Sequence, residues 1–141
     1  MARGAAIAKC RYRRRDADPL HGHPRHRPAG RSFVEAVRDA FACVPADALP
    51  VVTTTWALSQ LPLESRLRFL NRLDEAAAGR AVSWVSVEGV GVAPAIPTFG
   101  DRRASGHSII GLAVLDQSTL RAEAIGRCWS QGRFLAWLAD S

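Results

Sequence analysis

Between residues 33 and 44 apolar side chains return at helical intervals, with Val34, Val37, Phe41 and Val44 on one face and Pro45 ending the run. Ser32 and Glu35 form a capping box ahead of it: the hydroxyl accepts from the Glu35 amide and the carboxylate reaches back to the Ser32 amide. The pattern predicts an amphipathic helix of about three turns. At Pro50 the period changes. Residues 50–56, PVVTTTW, are β-branched with an aromatic at the end, which favours a pleated backbone, and the lack of strict alternation points to burial on both faces. Helical spacing resumes at Pro62, tolerated in a first turn, and a stripe of Leu67, Leu70, Leu73 and Ala77 runs to Gly79. Glu64 suits the positive end of that helix and precedes Arg68 by four residues, an i,i+4 pair.

A second strand is expected over residues 81–88, stopped by Gly89. Strand, helix and strand in that order make a βαβ unit, hence parallel strands and a right-handed crossover. The stretch GVGVAPAIPTFGDRRASGH, residues 89–107, is too long and too rich in Gly and Pro for an ordinary connector, and such loops often border a site. Two more strands, 108–116 and 119–128, are joined by so short a turn that they must pair antiparallel. QGRFLAWLAD then reads as a short closing helix with Phe134, Leu135, Trp137 and Leu138 as its apolar set. Trp56, Trp84, Trp129 and Trp137 fall on predicted elements and are expected in the core rather than on a base-stacking platform.

With 141 residues, 48% of them hydrophobic, the chain is long enough for one domain with a packed core. No apolar stretch approaches the roughly 20 residues of a bilayer helix. GAAIA near the start is interrupted by Lys9 and lacks a cleavage region, so the cytoplasm is the expected compartment. Cys10, Cys43 and Cys128 are an odd number without a CxxC pair, which argues against a disulfide framework or a zinc cage.

The net charge of +6 changes meaning once it is located: nine basic residues oppose two acids in 1–31, and ten oppose eleven in the remainder. That first segment has few large apolar residues and is expected to be disordered. Eighteen arginines against one lysine is the usage of a GC-rich genome, where wrong reading frames also yield Arg-, Ala-, Gly- and Pro-rich peptides. The segment is therefore also open to reading as a start-site or frameshift artefact, leaving 32–141 as the folded domain. If it is translated, RYRRRD would neutralise phosphates without reading sequence, making nucleic acid a weak partner. His21, His23 and His26 have no rigid scaffold on which to hold a metal.

Helix, strand, helix, strand, long loop, strand, strand resembles the second half of a class I methyltransferase-like Rossmann fold, and VVTTTWALSQLP looks like the strand, polar step and "LP" found there. More closely, ESRLRFLNRL, WVSVEG and GRFLAWL together resemble the C-terminal portion of a bacterial family, domain of unknown function 2332, over about residues 33–139. Where that family carries a histidine-containing stretch before its final glycine, this chain reads RCWSQG. The family's N-terminal half has no counterpart here. The resemblance implies a truncated α/β domain: a partial Rossmann-like mixed sheet with one parallel βαβ unit, a C-terminal antiparallel hairpin and flanking helices. Any S-adenosylmethionine would be held by the absent half, and a first strand would normally pair with residues 51–56. Unpaired, that edge is a liability for self-association or a place for a complementary chain.

In an open α/β sheet, ligands lie beyond the carboxyl ends of the parallel strands. Those ends carry Thr54, Thr55 and Trp56 after one strand and Glu88, Gly89 and Gly91 after the other. Glu88 is the leading candidate for a base or a cation-binding group, against the alternative of a carboxylate that caps loop amides. His107 follows the loop and is the second candidate, against a plain polar loop residue. Gly89 and Gly91 are not followed by a helix, so "GVG" reads as a strand exit, not a phosphate loop.

Overall fold

A computed structural model describes residues 33–117, 119–129 and 134–138. Ser32 of the expected capping box and the arginine-rich segment 1–31 lie outside the described residues. The elements run α1 (Phe33–Ala42), β1 (Val51–Thr55), α2 (Leu63–Ala77), β2 (Val82–Gly89), β3 (His107–Asp116), β4 (Thr119–Trp129) and β5 (Leu135–Trp137). They form a mixed α/β fold around one five-stranded sheet in the sequential order β1-β2-β3-β4-β5. β1 and β2 are parallel, as the intervening helix requires, and every other pairing is antiparallel.

One face of this sheet carries the core. Trp84, Leu115 and Ala113 contribute from the strands, Phe69, Leu73 and Ala77 from α2, and Val37 and Phe41 from α1. The Phe69 ring meets Trp84 edge-on at 5.3 Å and 73°. Full burial of side chains of this size contributes about 1.5–3 kcal/mol each. Trp84 thus selects the inward face of α2: Phe69 takes the place expected for Leu67, which stands 45% exposed. The expected Glu64–Arg68 pair forms at 3.2 Å on the solvent side.

Arg80, just before β2, fastens α1 to the sheet. Its guanidinium donates to the carbonyls of Phe41 at 2.7 Å, Pro45 at 3.0 Å and Val44 at 3.1 Å. Phe41, at least, belongs to the last turn of α1, whose carbonyls have no partner within the helix.

The opposite face of the sheet is open only in part: Val51, Thr53, Thr55 and Val114 are exposed there, while Ser83, Ser108 and Ile110 are buried. β1 alternates: Val52 and Thr54 turn inward while Val51, Thr53 and Thr55 are exposed. Burial on both faces, expected from its unbroken β-branched run, is therefore corrected, because residue type does not report which layers are present. The expected closing helix is corrected too. Leu135–Trp137 is a strand, paired through Gly126↔Trp137 and Cys128↔Leu135. A Cβ on Gly126 would lie 2.8 Å from the Ala136 carbonyl oxygen, so the absent side chain lets the β5 backbone approach this closely. Phe134, Leu135 and Trp137 remain 47–62% exposed, and of the four tryptophans only Trp84 is buried.

Candidate functional site

The carboxyl ends of β1 and β2 are closed by a single 3-10 turn, Leu58–Gln60. Glu88 organises it. The side chain is 1% exposed and points to the core face like Trp84 and Ser86. One carboxylate oxygen accepts from the Leu58 amide at 3.0 Å and the other from the Ser59 amide at 3.2 Å. Arg66, on the first turns of α2, grips the other end of the turn, its Nε donating to the carbonyls of Leu58 at 3.0 Å and Leu61 at 2.9 Å. Ser59 closes the unit by donating from its hydroxyl to the Trp56 carbonyl at 2.8 Å. A negative and a positive side chain thus satisfy opposite ends of one tight turn, and the capping of loop amides is the structural alternative weighed for Glu88.

Trp56 leaves β1 with φ of 49°, a left-handed conformation that is uncommon for a bulky residue. Its amide still donates to the Val87 carbonyl at 2.9 Å. The turn redirects the indole, so that Nε1 donates to Ser108 Oγ at 2.8 Å, two strands away on β3. Ser108 is 1% exposed, while the indole remains 37% exposed. Trp56 therefore spans the end of β2 and presents part of its ring to solvent.

Thr54 belongs to the core rather than to the crevice: its hydroxyl accepts from Trp84 Nε1 at 3.0 Å. Thr55 is exposed on the open face. Gly89 begins a turn, its carbonyl accepting from the Val92 amide at 2.9 Å. Gly91 has φ of 71° and faces the Arg103 guanidinium; a Cβ there would sit 3.6 Å from Nε. His107 contacts Trp129 edge-on at 5.3 Å and Phe134 at 6.2 Å. It lies two residues along β3 from Ile109, the register partner of Glu88, and its ring is occupied by aromatic neighbours.

The long loop is fastened rather than hanging over the crevice. Arg127 on β4 forms a bidentate pair with Asp101, at 2.6 and 3.2 Å, and its guanidinium lies 5.4 Å from the Phe99 ring centre. Ile96 fills the space above Gly111 on β3. Sequence reasoning missed Arg66, Ser108, Asp101 and Arg127, since each acts through a partner 5 to 52 residues distant and no local motif marks it. Among buried hydroxyls, Ser86 Oγ has no partner among the described residues.

This arrangement does not suit an adenosine cofactor. The turn after β1 contains no glycine, its Leu58 is fully buried, and both oxygens of the strand-end carboxylate are taken by amides. Among the described residues no helix is long and apolar enough to cross a membrane.

No curated protein and no solved structure matches this chain significantly. A family model does, over residues 28–137, spanning both parallel strands, the fastened loop and the antiparallel strands. The chain belongs to the family DUF2332, described as an uncharacterized protein conserved in bacteria.

Proposed function

We propose that this chain is a non-catalytic α/β unit whose role is completed by another polypeptide segment pairing with the free edge of β1. The observation that carries the reading is the hydrogen-bond parity of that strand. The Pro50 carbonyl accepts from Ser83 and the Trp56 amide donates to Val87. In a parallel ladder this parity commits Val52 and Thr54 to β2 and aims the backbone groups of Val51, Thr53 and Thr55 outward. None of the usual guards against edge pairing, such as a lysine, a bulge or an interior proline, stands on this edge. The finer reading is a methyltransferase-like half-domain. In it, Trp56, Glu88 and the loop at 89–107 form the substrate-side wall, and S-adenosylmethionine is held by the completing segment. Its support is the parallel pair and the resemblance in element order, which is analogy from fold.

Thr53→Pro tests the edge, because it removes an outward-facing amide and leaves the β1–β2 ladder intact. In pull-downs and chemical cross-linking with synthetic strand peptides or a longer family member, the wild-type chain should capture a partner and the variant should not, at an unchanged unfolding midpoint. Capture by the proline variant equal to wild type overturns the proposal. Calorimetry should detect no tight S-adenosylmethionine binding by this chain alone, and tight binding would establish a self-sufficient enzyme instead.

A second reading is favoured by the segregation of charge: the excess of basic residues in 1–31 suits a phosphate backbone. Deleting 1–31 should then abolish low-salt DNA retention, and unchanged retention removes this reading.

A further inference from the structure

We infer that the open face of the sheet is a dimer interface, occupied by the same face of a second copy. This surface is distinct from the β1 edge, and the two stand or fall separately. α1, α2 and Ile96 all pack on the Trp84 face. The other face presents exposed Val51 on β1, Val114 on β3, and Leu135 and Trp137 on β5, half-buried Val85 on β2 and Leu112 on β3, and buried Ser83, Ser108 and Ile110 toward its other positions. Their sharing of that face follows from strand alternation and register. Val51 is 46% exposed, Val114 36%, Leu135 57% and Trp137 62%. Parallel strands ordinarily have both faces covered, so the exposed Val51 and the half-buried Val85 and Val87 on this pair call for a covering layer.

Charge identifies the layer. Three ionised side chains stand on this face, Arg121 and Glu123 at neighbouring same-side positions of β4 and Asp116 at the end of β3, and none has an ion-pair partner among the described residues. In register Arg121 aligns with Val114 and Glu123 with Leu112, so the level of Trp84 and Ala113 lies midway between them. A two-fold axis crossing the strands at that level brings each Arg121 over the Glu123 of the other copy. An isologous interface must be complementary to itself, and this pair satisfies the condition. Two twisted sheets stack about 10 Å apart with strands offset by roughly 30°. Five strands by about five residues give a flat footprint of roughly 400 Å² before side-chain relief is counted. Side-chain relief enlarges this, but it stays at the low end beside the ~800 Å² per partner of a standard interface, as for a weak, concentration-dependent dimer.

Sedimentation equilibrium of the full chain at low salt, over a concentration series, tests the inference. The wild type should dimerise. Val114→Glu should be monomeric with an unchanged unfolding midpoint by circular dichroism. Arg121→Glu should weaken dimerisation about tenfold by setting like charges opposite each other, and Arg121→Glu combined with Glu123→Arg should restore it. A wild type that stays monomeric at every concentration overturns the inference. So does a dimer insensitive to the charge reversals, or one that the double reversal fails to restore. Should Val114→Glu fail to fold, the exposed Arg121 and Glu123 variants still decide the question.

Discussion

Glu88 and Arg66 hold opposite poles of the same residue: the carboxylate accepts from the Leu58 amide at 3.0 Å and the guanidinium donates to the Leu58 carbonyl at 3.0 Å. Removing Glu88 strands the amide of a fully buried leucine, whereas the Leu58 carbonyl keeps the Leu61 amide as a donor at 3.0 Å when Arg66 is removed. Glu88→Ala should lower the free energy of unfolding by about 1–3 kcal/mol, with Glu88→Gln closer to wild type because one acceptor survives. Urea unfolding measures both. Equal stability of Glu88→Ala and wild type would mean that the clamp is dispensable and that the carboxylate is kept for another purpose.

Gly111 and Ile96 fit together without slack. A Cβ at Gly111 would lie 2.5 Å from Ile96 Cγ2 and 2.7 Å from Cδ1. Gly111→Ala should cost about 1–3 kcal/mol as an overpacked site, and Ile96→Val in the same chain should recover part of that cost. A double-mutant cycle gives the coupling. Strict additivity would show that the loop moves aside without penalty.

Burial pushes the Cys128 thiol up from its ordinary value, so the neutral form is favoured in the fold. Alkylation requires the thiolate. In a Cys10→Ser/Cys43→Ser background, modification of Cys128 at neutral pH should be slow and should reach half its maximal rate at a higher pH in the folded chain than in urea. Coincident folded and unfolded profiles would refute the shift.

Most of the scaffold was legible from periodicity. Residues such as Val37, Phe41, Leu73 and Ala77 repeat at helical spacing because they face one layer, and the parallel pair follows from the helix between its strands. What periodicity misses is the identity of the layer. The β-branched run of β1 reads alike whether one or both faces are covered, and GRFLAWL reads as a helix until Gly126 and Cys128 offer it a ladder. The site was legible only in part. Strand ends locate Glu88 and Trp56, but the role of each is set by Leu58, Ser59 and Ser108, neighbours that no spacing in the sequence announces.

Trp56 anchors the last residue after β1 twice, through its amide to Val87 and its indole to Ser108. Fraying of this border strand must therefore begin at Val51, the far end, while the Thr53–Thr55 portion stays extended without any neighbour on its outer side. A segment arriving there meets a template already ordered. The conformational entropy of straightening those residues was lost when the domain folded, and docking need not supply it again.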